Sequence, residues 1–157
     1  LELLEAVPDL DTVYVPVGCG SGLCGTIAAR DALGLKTKVV GVVSAHVDAA
    51  KRSFEAGRLL PSPSAHTFAD GVAVCTPVQE ALDYFGSRAE RFVAVTDDEV
   101  AEAIRILWQD THNLAEGAGA VAFAALLQEK ERMRGKKVAV ILSGGNCDMA
   151  QAAAISV

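Results

Sequence analysis

Aromatic residues are scarce in this chain: Phe, Trp and Tyr together make 5% of its 157 residues, with a single tryptophan. A core must then be built from Ala, Val, Leu and Ile, as in buried parallel sheets. Basic residues are also in deficit, 14 against 20 acidic ones, for a formal charge of -6. That balance argues against a nucleic-acid surface. The one basic cluster, "KERMRGKK" from Lys130 to Lys137, reads as a solvated helix end complementing the helix dipole. No two of the four cysteines (Cys19, Cys24, Cys75 and Cys147) form a C-x-x-C pair, which removes support for a zinc site. His46, His66 and His112 stand in no ligand spacing and read as solvated or packed. No apolar run reaches membrane-spanning length and no signal peptide is visible, so a reducing cytoplasm is the expected compartment.

What is present suits one domain spanning 1–157: 51% hydrophobic residues and a mean hydropathy of +0.30, enough for a layered core. The chain opens "LELLEAVPDLD" without a Met, as the tail of a helix followed by a turn, so it is expected to be a piece of something larger. Apolar strands are expected at 12–17, 38–43 and 90–95, with a fourth inside 136–146. Helices are expected at 21–34, 47–57, 76–86, 96–112, 116–135 and 148–157. Gly34 and Gly57 stop two of these helices. Thr96 and Glu99 have capping-box spacing, and Pro77 falls in a first turn. The stretch 58–71, with two prolines and no periodicity, reads as a loop. Alternation of strand and helix predicts a three-layer αβα sandwich with a mostly parallel sheet.

Two of these strands run into glycines: "VPVGCGSGLCG" from Val15 to Gly25, and "VAVILSGGN" ending at Asn146. In parallel α/β sheets ligands bind beyond the carboxyl ends of strands. Glycine lets backbone N–H groups approach an anion closely, and a following helix adds its positive dipole end. A phosphate cradle is one reading of the first loop; tight helix–sheet packing is the other. "GSGLCG" (20–25) also satisfies the dinucleotide fingerprint G-x-G-x-x-G. The acid that should close the next strand is missing there, because that strand ends Val42-Val43-Ser44 and His46 and Asp48 come late. In the second cluster, the Ser143 hydroxyl either satisfies its own loop or bonds a ring nitrogen of a planar cofactor.

Taken in order, "VPVGCGSGLCG", "FADGVAV", "TDDEVAEAI", "EGAGA" and "VILSGGN" resemble the C-terminal part of the large domain of serine/threonine dehydratases, pyridoxal-phosphate enzymes of the tryptophan-synthase β fold (fold type II). The resemblance covers nearly the whole chain. It implies pyridoxal 5'-phosphate as cofactor, with the phosphate on backbone N–H groups of Gly18, Cys19, Gly20, Ser21 and Gly22. Cys19 and Ser21 replace glycines usual in the family. The resemblance also places Ser143 at the pyridine nitrogen and Gly71 along the ring edge. Glu116 matches an acidic position near the cofactor, and reads equally well as a helix N-terminal acid. A neutral serine at the ring nitrogen makes a weaker electron sink than a carboxylate would, which suits β-elimination.

In this family the Schiff-base lysine and the small substrate-gripping domain lie in an N-terminal block that this chain does not contain. Lys36, Lys38 and Lys51 stand in helix-end, strand-start and helix-surface contexts and do not replace that lysine. The expectation is a truncated large domain, without catalytic residues of its own and inactive alone. It would be homo-oligomeric through uncovered apolar edges, its parent acting on a small amino acid. Some relatives bind a metal near the second strand; Asp48 alone offers an acid there, so no metal is expected. Two other functions stay open: a noncatalytic nucleotide- or phosphate-binding Rossmann-like module, and a self-associating remnant.

Overall fold

Four short, β-branched runs pair in parallel: β1 (Thr12–Pro16), β2 (Lys38–Ser44), β3 (Arg91–Val95) and β4 (Val138–Val140), in spatial order β3-β2-β1-β4. Thr12 registers with Lys38 on one side and with Val138 on the other, so β1 is the shared strand. The helices are α1 (Glu2–Ala6), α2 (Ser21–Ala32), α3 (Ala49–Ala56), α4 (Gln79–Phe85), α5 (Asp97–Thr111) and α6 (Gly117–Gln128), with a 3-10 turn at Asp70–Val72. This is a computed structural model, and it describes residues 1–148 together with Ala150, Ala153 and Ile155. Of the helix expected at 148–157, Ala150, Ala153 and Ile155 are helical and six residues lie outside the described ones.

Side chains alternate along each strand and sort the core into two parts. Val13, Val15, Val39 and Val43 pack with Leu23 and Ile27 of α2 and with Leu82 and Phe85 of α4. Tyr14, Val40, Val42, Val93 and Val95 pack with Ile104 and Leu107 of α5 and with Val121 and Ala125 of α6. Helices therefore cover both faces of a parallel sheet, which is the three-layer αβα sandwich that the strand–helix alternation predicts.

Boundaries differ from the sequence expectation where chemistry intervenes. The helix expected from 76 begins at Gln79, because Val78 after Pro77 is extended (φ -86, ψ 127). The helix expected to run to 135 stops at Gln128. Its apolar run ends at Leu127, and the charged residues beyond form turns that close at Gly135, where φ is +75. The fourth strand pairs only over Val138–Val140, with Ile141 N–H still donating to the Tyr14 carbonyl at 3.0 Å. The next donor to β4 would be residue 16, and Pro16 has no N–H, so the ladder ends. The capping box forms as its spacing predicts: the Thr96 hydroxyl accepts from Glu99 N–H (3.3 Å) and the Glu99 carboxylate from Thr96 N–H (2.7 Å).

A phenol, a carboxylate and a guanidinium meet under α6. The fully buried Tyr14 donates its hydroxyl to Glu129 at 2.5 Å, and Arg91 donates to both. Burial works to raise the Glu129 carboxyl, but hydrogen bonds from Arg91 and Tyr14 outweigh it and hold the group below its ordinary 4.5. Burial first, and the Glu129 carboxylate second, push the Tyr14 phenol well above its usual 10.0.

A depressed carboxyl contributes stability that is complete above its unfolded value and lost on acidification. The advantage of the wild type over Glu129→Gln should thus be full at neutral pH and shrink as pH falls below 4.5. Tyr14→Phe should cost about 1–3 kcal/mol in denaturant unfolding. A Glu129→Gln difference that does not change with pH would contradict this assignment.

Candidate functional site

β1 delivers the chain into a loop and then into α2. The first helical bond runs from Cys24 N–H to the Gly20 carbonyl at 2.9 Å, so the N–H groups of Ser21, Gly22 and Leu23 find no acceptor inside the helix. Among the described residues the N–H groups of Gly18, Cys19 and Gly20 have no acceptor either. Gly20 has φ +99, and a Cβ there would stand 3.0 Å from the Ala81 Cβ, so both conformation and space demand glycine. Among the described non-glycine residues only His112 has a positive φ. Cys19 and Ser21 therefore occupy ordinary backbone and carry side chains without strain.

The opposite wall is the N-terminus of α6, wedged between two loops. A Cβ on Gly119 would collide with the Gly144 carbonyl oxygen, and one on Gly144 would collide with the Glu116 carboxylate. Glu116 clasps that loop twice. Its N–H donates to the Gly144 carbonyl at 3.2 Å, and its carboxylate accepts from Asn146 N–H at 3.0 Å. It makes no side-chain bond to its own helix. Ser143 is an exposed residue, and among the described residues its Oγ donates to the Ala118 carbonyl at 3.5 Å. On the other side the Gly71 carbonyl sits against Gly18, where a Cβ would come within 2.8 Å, and Gly71 N–H donates to its neighbour Asp70 at 2.8 Å.

A cavity of ≈ 380 Å³ results, at the carboxyl ends of β1 and β4. Gly18, Cys19, Gly20, Ser21, Gly22, Gly71, Glu116 and Ser143 all line it. The structure thus brings together every site residue singled out in the sequence. Pro16, Val72 and Ala118 complete the wall and escape the sequence reading. They are the small apolar neighbours of the motif residues, and nothing in the sequence marks them apart from that adjacency. No lysine lines the cavity. Lys36 and Lys38 border a separate cavity at the other end of the strands, and Lys51 pairs with Glu55 at 2.6 Å on α3. Asp48 pairs with Arg52 at 2.7 Å. Among the described residues no group of three His, Cys, Asp or Glu is placed to hold a metal ion. His46, His66 and His112 are exposed, and all four cysteines are free thiols. Burial pushes the Cys24 thiol up, whereas Cys19 stands exposed at the cavity.

The family described as pyridoxal-phosphate dependent enzyme matches residues 1–144. The chain belongs to this family. L-threonine ammonia-lyase of Thermotoga maritima is 37% identical over 149 residues, which are 95% of this chain and 37% of that protein. Among solved structures, a threonine deaminase from T.th. superposes with a TM-score of 0.88 at 35% identity, covering 94% of this chain and 56% of that one. Serine racemase from Dictyostelium discoideum gives 0.85 at 31%, covering 94% and 48%. This member of the pyridoxal-phosphate family thus spans roughly a third to a half of its relatives' length, and its fold is of the tryptophan-synthase β type. The family's cofactor is pyridoxal phosphate.

Gly119→Ala should fail to fit against a backbone oxygen and lower stability by about 1–3 kcal/mol. It should also raise amide exchange at Asn146. Gly25→Ala, where no atom lies within 4 Å of the new Cβ, should leave stability unchanged or raised. Equal effects of the two in thermal unfolding would remove the loop contact as the reason for glycine at position 119.

Proposed function

We propose that this chain is the cofactor-holding part of a pyridoxal-phosphate-dependent dehydratase that removes water and then ammonia from L-serine or L-threonine, leaving a 2-oxo acid. One observation carries the reading. The five residues from Gly18 to Gly22, whose backbone N–H groups have no acceptor among the described residues, line a cavity that Ser143 also lines. That donor set fits the cofactor at both ends. The N–H groups and the N-terminal dipole of α2 bind a phosphate without a cation. Ser143 would offer a neutral hydroxyl to a ring nitrogen, and Gly71 would lie along the ring edge. Glu116 serves the site through the loop that it clasps, holding Ser143 in place. When bound, the cofactor supplies an electron sink for the carbanion formed at the substrate α-carbon. The names of the similar proteins, threonine ammonia-lyase and threonine deaminase, support the elimination chemistry.

We further infer that the covalent lysine comes from outside this chain, since no lysine lines the cavity, and that the chain alone is inactive. We also infer self-association. β4 is an outer strand of the sheet, its three residues only half-buried, and Leu142 beyond it is 40% exposed. Strand edges of this kind invite pairing. The compartment that suits four free thiols is the cytoplasm.

Equilibrium dialysis with pyridoxal phosphate tests the central reading. Binding should be competed by inorganic phosphate, weakened about tenfold or more by Gly20→Ala, and accompanied by no 2-oxo acid from L-threonine. Turnover by the isolated chain would refute the missing lysine. Tight NAD binding without pyridoxal-phosphate binding would favour a nucleotide-binding module instead. Light scattering at high concentration should show a dimer or larger species, and a clean monomer would end the self-association reading.

A further inference from the structure

We propose that Asp97 is a positioning residue for the cavity, acting through the loop 67–71; this rests on reading the cavity as a cofactor site. Asp97 opens α5, where an acidic residue complements the helix dipole. Its side chain does something else as well. One carboxylate oxygen accepts the Thr67 hydroxyl at 2.5 Å, and the other accepts Phe68 N–H at 3.3 Å. The Thr67 hydroxyl in turn accepts Ala69 N–H at 3.2 Å. A half-buried carboxylate thus fixes three consecutive residues that lie about thirty positions earlier in the chain. Charge-assisted bonds of this type are the stronger kind.

The fixed segment leads straight into the cavity wall. Ala69 is fully buried, and the 3-10 turn that starts at Asp70 presents Gly71, whose carbonyl abuts Gly18 of the cradle. Gly71 is held from its other side by Ala118 of α6, 2.8 Å from where a Gly71 Cβ would stand. Asp97 therefore sets where Gly71 sits, and Gly71 sets one side of the phosphate loop. Asp98 shares the same first turn and the same charge, is exposed, and makes no such contact among the described residues. It separates the two roles that an acid can play there.

The test uses the full chain and four variants: Asp97→Ala, Asp97→Asn, Asp98→Ala and Thr67→Val. Amide exchange at Phe68 and Ala69 is read without cofactor, and the dissociation constant for pyridoxal phosphate is read by equilibrium dialysis. Asp97→Ala should lose protection at both amides and weaken binding about tenfold. Asp97→Asn, whose amide oxygen still accepts one bond, should recover most of that affinity. Thr67→Val should fall between them, and it carries the test if Asp97→Ala does not fold. Asp98→Ala should leave both readouts unchanged. Equal effects of Asp97→Ala and Asp98→Ala, or unchanged affinity in Asp97→Ala and Thr67→Val, would overturn the proposal while leaving the cofactor reading intact. Failure of the wild type to bind pyridoxal phosphate would instead overturn the cofactor reading.

Discussion

The contact on which the rest of the site depends joins two backbones. The carbonyl of Gly144 lies where a side chain on Gly119 would be, and the same carbonyl accepts the N–H of Glu116. A helix can meet a loop this closely only if both surrender their side chains. The approach brings Ser143 over Ala118 and opposite the glycine loop of β1. Tight packing of these glycines is therefore compatible with the anion cradle proposed above. In α6 and the loop it meets, glycine serves packing. At Gly20, φ +99 and the crowding of Ala81 serve the turn into α2, whose first residues, Ser21 and Gly22, line the cavity.

Charge is used sparingly around this cavity. Glu116 is its one ionisable carboxylate, and both ends of that residue are engaged with residues 144–146. No cationic side chain lines the cavity, so an anion there would rely on backbone amides and hydroxyls, on geometry more than on net charge. The strongly paired group of the molecule, Tyr14 with Glu129 and Arg91, lies on the α6 face of the sheet and borders no part of the cavity.

Much of this is legible from local pattern. The apolar strands and the glycine stops at Gly34 and Gly57 follow from periodicity and turn chemistry, and the architecture follows from their alternation. Four of the five sequence blocks meet at the cavity; the loops after β1 and β4 do so because strands of a parallel sheet end on one side, while no residue of "TDDEVAEAI" lines it. What stays hidden depends on distant partners. The "TDDE" segment reads as a capping box, and that reading is right for Thr96 and Glu99. It masks the reach of Asp97 to Thr67, which no local spacing encodes. The end of α6 is illegible for a similar reason. Lys130, Glu131 and Arg132 are good helix formers, yet the chain turns there to deliver Glu129 to Tyr14 and Arg91 and to bury Met133.

Pro16 has a consequence beyond ending a ladder. A residue with an N–H at that position would give β4 another rung, and the chain past Ile141 could zip onto β1 as strand. That competing register would draw Ser143 into the sheet and away from α6. Proline withholds one bond from it, and among the described residues the backbone of Leu142 to Asn146 is held by the clasp at Glu116. One missing hydrogen on β1 thus disfavours extension of the sheet at the expense of the loop.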